Sequence, residues 1–141
     1  MKAKIAASDP SSLSVQLLRF LTTGVANTAV GLGTIFLLKW ALDVGDVPAN
    51  FAGYSLGLCL SFMLNRNWTF AHRGALAPAM LRFLSVFAVA YLSNVAALLL
   101  LRDRLGVNAY LAHMLAVAPY TIVFFVGSRW FAFRSSLVTR Q

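Results

Sequence analysis

Residues 20–38 read FLTTGVANTAVGLGTIFLL, nineteen positions without a Lys, Arg, Asp or Glu. Wound as a helix at about 1.5 Å per residue, the stretch is about 28 Å long, close to the hydrocarbon thickness of a bilayer. Three more uncharged apolar stretches follow at residues 49–64, 83–101 and 109–127, the second short enough to borrow residues 65–70 as an interfacial extension. A chain of 141 residues that is 60% hydrophobic and only 11% charged, with a mean hydropathy of +0.75, cannot hide so much apolar surface from water. The sequence therefore predicts an all-α polytopic membrane protein: one domain over residues 17–134 with four transmembrane helices, between tails at 1–16 and 135–141. The first tail, MKAKIAASDPSSLSVQ, lacks the apolar core of a cleavable signal, so the first helix is expected to be retained.

Charge gives the expected orientation. Lys2, Lys4, Arg19, Arg66, Arg73, Arg82, Arg129, Arg134 and Arg140 fall in the two tails and the middle loop, which share one side if there are four spans. Lys39, Arg102 and Arg104 fall on the other side, beside Asp43, Asp46 and Asp103. Nine against three predicts cytoplasmic termini in an inner, cytoplasmic membrane. The formal charge of +8 and pI near 10.6 then belong to the inner face and its attraction for anionic headgroups, and no nucleic-acid partner is expected.

Shifted by 63 residues, the sequence matches itself. Leu18, Arg19, Phe20 and Leu21 fall on Leu81, Arg82, Phe83 and Leu84; Arg66 falls on Arg129 and Phe70 on Phe133; 12 of the 53 positions from 18 to 70 are identical. Each repeat holds two spans, so the fold is expected to be two tandem helical hairpins in parallel orientation. The repeat also pairs two basic, aromatic helix ends: Arg19 and Arg66 with Trp68, and Arg82 and Arg129 with Trp130 and Phe131. Such residues anchor helices at the interface, and they are also the groups that would hold a lipid phosphate.

Within the spans, Asn27 with Thr28 and Asn94 are placed near mid-membrane, as helix-to-helix hydrogen bonds or as a polar track. Gly53, Gly57 and Ser61 recur every fourth residue and predict a face for close helix packing, within or between subunits. Pro119 predicts a kink in the fourth helix, and Cys59 is read as a packing residue. The chain has no glutamate, no carboxylate inside a span, no His, Cys and carboxylate cluster at metal-ligand spacing and no phosphate-cradling glycine loop. Neither an enzyme, a cofactor nor a metal site is expected. Proton-coupled cation export, which needs a membrane carboxylate, is disfavoured on the same ground.

The motifs are more specific than the composition. Arg19-Phe20, Gly24, Asn27-Thr28 and the run Ser61-Phe62-Met63-Leu64-Asn65-Arg66-Asn67-Trp68-Thr69-Phe70 resemble the GtrA-like family, over nearly the whole chain from about residue 17 to 133. The resemblance implies a small four-span protein that helps a polyprenyl-phosphate-linked sugar cross the cytoplasmic membrane for cell-surface polysaccharide modification. It also implies roles for Asn65, Arg66 and Trp68 together with Arg19 and Asn27. The second half keeps Arg129 and aromatics in Ser128-Arg129-Trp130-Phe131 but lacks the Asn, so equal roles for the halves do not follow. The expected partners are the lipid-linked sugar, membrane lipids, further copies of the chain and a polyprenyl-phosphate glycosyltransferase. A non-transporting scaffold that binds the same lipid, or recruits that enzyme, is the alternative.

Overall fold

The computed structural model describes residues 12–134. Residues 1–11 and 135–141, which carry Lys2, Lys4, Arg140 and most of the expected tails, lie outside the described residues. Among the described residues all regular structure is helical: α1 spans Leu13–Leu42, α2 Asp46–Leu64, α3 Leu76–Leu99 and α4 Ala109–Gly127. The last three run on into wider turns at Asn65–Thr69, Leu100–Arg104 and Ser128–Ala132. Backbone bonds of the i→i+5 type close these turns, including Phe70 N–H to the Asn65 carbonyl and Phe133 N–H to that of Ser128, both 2.9 Å. All four helices are long and apolar enough to cross a bilayer, and the protein is a multi-pass membrane protein.

The chain divides after Ala71 into two compact units, each a helical hairpin. Hairpin 1 packs α1 on α2 and hairpin 2 packs α3 on α4. The 63-residue repeat is visible in what each hairpin buries. Hairpin 1 buries Phe20, Thr23, Ala49, Gly53, Gly57, Ser61, Phe62, Asn65, Thr69 and Phe70; the same shift carries nine of these ten onto buried residues, with half-buried Tyr120 the exception. Even the turns correspond. Asp43 and Gly106 both take left-handed backbone (φ 49° and 64°), and the next residue's N–H closes on the carbonyl six back, Val44 on Leu38 at 3.1 Å and Val107 on Leu101 at 2.9 Å.

The helices overrun the uncharged stretches. α1 takes in residues 13–19 and 39–42, so residues 13–16 are helix rather than tail, and α3 begins seven residues before Phe83. Arg19, Lys39 and Arg82 border the uncharged stretches but lie inside helices, because a long aliphatic stem carries the charge back to the interface without breaking the backbone. α4 likewise continues through Pro119.

The small-residue face of α2 is consumed inside its own hairpin. A methyl group on Gly53 would come within 2.6 Å of the Gly31 carbonyl oxygen and collide with Ile35, while one on Gly57 would collide with the Asn27 amide oxygen. Cys59 turns out exposed rather than packed, because it lies off the face that carries Gly53, Gly57 and Ser61.

Candidate functional site: two basic, aromatic helix ends

Hairpin 1 gathers its polar groups where α1 begins and α2 ends. Arg19, on the second turn of α1, reaches across to the wide turn after α2. Its Nη1 donates to the Trp68 carbonyl at 3.0 Å, and its guanidinium carbon lies 5.5 Å from the Trp68 ring centroid. Two contacts with one residue fix the arginine, which leaves its remaining donors oriented rather than floating. The Trp68 ring is itself 42% exposed and forms the outer surface of the pair. Arg66 donates from Nη1 to Asn67 Oδ1 at 3.1 Å.

Beneath this surface lies a buried polar core. Thr23 and Thr69 bring their hydroxyls within 3.5 Å, and Asn65 Nδ2 donates to Ser61 Oγ at 3.2 Å. Ser61, Asn65 and Thr69 follow at four-residue spacing, so they line one face of the helix end. Asn65 is only 1% exposed, and its Oδ1 is buried without a partner among the described residues. An orphaned buried acceptor complements a hydroxyl or a water rather than an anion. The residue is thus held inside the hairpin and does not face outward beside Arg66.

Hairpin 2 builds the matching end from other material. Arg82, at the position of Arg19, is exposed. Arg129 is half-buried, with its guanidinium 5.9 Å from the Trp130 ring centroid. The core below is aromatic: Phe83 lies 5.2 Å from Phe124 and 5.7 Å from Phe133, and His72 lies 5.8 Å from Phe133. Ser128, at the Asn65 position, is fully buried with an unpartnered hydroxyl.

The polar residues placed near mid-membrane do not form one track. Asn27 lies over Gly57 inside hairpin 1, whereas Thr28 is exposed and bonds its own helix at the Gly24 carbonyl, 3.0 Å away. Asn94 Nδ2 donates to the Ala116 carbonyl at 2.8 Å, across from α3 to α4. In the repeat its counterpart is Gly31, not Asn27, so the two amides are not equivalent. Sequence reasoning missed Thr23, Ser61 and Thr69 as a cluster. Their signal was present in the i, i+4 spacing that runs from Ser61 through Asn65 to Thr69.

The carboxylates among the described residues are Asp43, Asp46 and Asp103, all at the opposite helix ends, where Lys39 pairs with Asp46 and Arg102 with Asp103 at 2.6 Å. A lipid phosphate at the interface is an anion that such basic ends can attract.

The family described as GtrA/DPMS, transmembrane domain, matches residues 19–133. The chain is similar to an uncharacterized membrane protein, YngA, of Bacillus subtilis, 36% identical over 125 residues that cover 87% of this chain and 82% of that protein. It is also similar to a second uncharacterized membrane protein of that organism, YwcD, at 23% identity over 121 residues, 83% of this chain and 95% of the other.

Proposed function

Because the chain belongs to the GtrA/DPMS transmembrane-domain family, we propose that it moves a polyprenyl-phosphate-linked sugar across the cytoplasmic membrane to serve cell-surface glycan modification. The observation that carries the reading is the basic, aromatic helix end present in both hairpins, with no carboxylate there among the described residues. In this reading both termini face the cytoplasm, and each hairpin offers a phosphate at the inner leaflet its own arginines, Arg66 with Arg19 held on Trp68 in hairpin 1, and Arg82 with Arg129 in hairpin 2. Trp68 and Trp130 offer flat faces to the sugar. The protein does no covalent chemistry: it lowers the cost of a polar headgroup in hydrocarbon, which for a bare charge lies between about 3 and 15 kcal/mol. Since neither hairpin holds a continuous polar path of its own, the route runs along an interface between copies of the chain.

A second reading is favoured by the sealing of Asn27 over Gly57 and of Asn94 on Ala116, which leaves few mid-membrane polar groups to guide a headgroup. It makes the protein a non-transporting scaffold that presents the lipid to its glycosyltransferase. Vesicles containing the purified protein and a fluorescent polyprenyl-phosphate hexose separate the two. Transport predicts movement between leaflets with no enzyme present, slowed about tenfold by Arg66→Ala or Arg82→Ala when one charge-assisted contact is lost. Equal rates in empty vesicles and in vesicles with the protein would sink the transport reading; binding without movement would support the scaffold.

A further inference from the structure

Hairpin 2 carries an open apolar groove of about 390 Å³ between α3 and α4, lined by Ser85, Val86, Val89, Val123, Gly127 and Phe131. The repeat shows how its lining differs from the same positions of hairpin 1. In hairpin 1 the positions of Val123 and Gly127 are held by Leu60 and Leu64, and those of Ser85 and Val86 by Thr22 and Thr23. Where hairpin 1 has the side chain of Leu64, hairpin 2 has a hydrogen atom. Gly127 is fixed there, since a methyl group on it would come within 2.6 Å of Val86 Cγ1. The Gly53 and Gly57 face of hairpin 1 is closed by α1, so it offers no bed for a lipid tail.

The groove also has a polar mouth. Arg82 lies three residues before Ser85 on the same helix, one turn along, and is exposed. Arg129 lies two residues before Phe131, beside Trp130. Among the described residues hairpin 2 has no carboxylate at that end, its one aspartate being Asp103 at the far end beside Arg102. An apolar trough that opens beside the exposed guanidinium of Arg82 complements an amphiphile with an anionic head and a hydrocarbon chain. Its volume is near the lower end of the range for pockets that enclose a small ligand, about 300–1,000 Å³. It holds a segment of one chain, not the paired chains of a phospholipid.

Resting on the function proposed above, we infer that this groove seats the phosphate-proximal isoprene units of the polyprenyl phosphate, with the phosphate on Arg82.

The test is photolabelling of the full chain in vesicles with a polyprenyl phosphate that carries a diazirine in its first isoprene units. Label is expected in the peptides containing residues 85–89 and 123–131, and it is expected to be lost in Val89→Trp, which fills the trough from its exposed side. A parallel probe, a two-chain phosphatidylglycerol with a diazirine near its head, is expected to label the groove weakly and without saturation. Label confined to other peptides, or equal saturable labelling by the two-chain lipid, would overturn the assignment. Leaflet-to-leaflet movement measured on the same samples separates failures. Movement with no groove label rejects the groove alone, whereas groove label without movement upholds the groove and rejects transport.

Discussion

The two hairpins share a burial pattern but only part of its chemistry. At the places where hairpin 1 has Thr23, Ser61, Asn65 and Thr69, hairpin 2 has Val86, Phe124, Ser128 and Ala132, and all eight are buried. Where hairpin 1 sets Asn27 above Gly57, the matching positions of hairpin 2 are Ala90 and Tyr120, with the bulk moved to the other helix. Where α1 and α2 meet backbone to backbone at Gly31 and Gly53, the counterparts Asn94 and Ala116 are joined by an amide hydrogen bond instead. Helix packing in lipid gains little from expelling water and depends on close fit and hydrogen bonds. A duplicated hairpin can therefore keep its shape while each copy finds a different way to fill it. One copy kept polar groups in its core and the other took on aromatics and an open groove.

The sharpest way to break this comparison is to give hairpin 1 the bulk it excludes. Gly53→Leu forces a side chain against the Gly31 carbonyl and Ile35 and is expected to cost about 3 kcal/mol, read by SDS titration in mixed micelles. Amide exchange should rise in α1 and α2 and stay unchanged in α3 and α4. A uniform rise would mean that the hairpins do not behave as separate packing units. A smaller effect is expected from Asn94→Ala, which removes the bond to the Ala116 carbonyl and should cost about 1 kcal/mol or less in the same titration. A larger loss would show that hairpin 2 depends on that bond more than on its aromatic core. The smallest change sharpens the likeness of the turns: Asp43→Gly gives hairpin 1 the residue type found at Gly106 and relieves a left-handed backbone at φ 49°. It should stabilise by about 0.5 kcal/mol, so a loss of stability would show that the Asp43 side chain contributes more than its backbone strain costs.

Much of the fold could be read from sequence because hydrocarbon imposes a simple rule: uncharged stretches of the right length span it. The repeat was readable for a related reason. Its identities fall on residues such as Phe20 and Phe83, Ala49 and Ala112, and Phe70 and Phe133, which packing constrains most, and all six are buried. Helix ends were less legible, since Arg19, Lys39 and Arg82 look like boundaries to anyone counting charges but snorkel from within helices. At the candidate site, residue types announced the basic, aromatic ends, yet which arginine is fixed and which is exposed depends on where Trp68 and Phe131 fall around a wide turn. Neither the burial of Asn65 nor the mismatch between Asn94 and Asn27 follows from depth alone, because both depend on the facing helix. The groove is written in the sequence only as the contrast between Leu64 and Gly127, which has no meaning until the two are known to occupy the same place.

The division after Ala71 also bears on how the protein is made. By the time Ala71 has left the ribosome, both helices of hairpin 1 exist, and so do the groups for the Arg19 to Trp68, Gly31 to Gly53 and Asn27 to Gly57 contacts. The first hairpin can close in the membrane while α3 is still being synthesised, as compact units generally form in the order in which they emerge. Its polar core is then shielded from lipid early, which suits the half of the molecule with more hydrogen-bonding groups to hide.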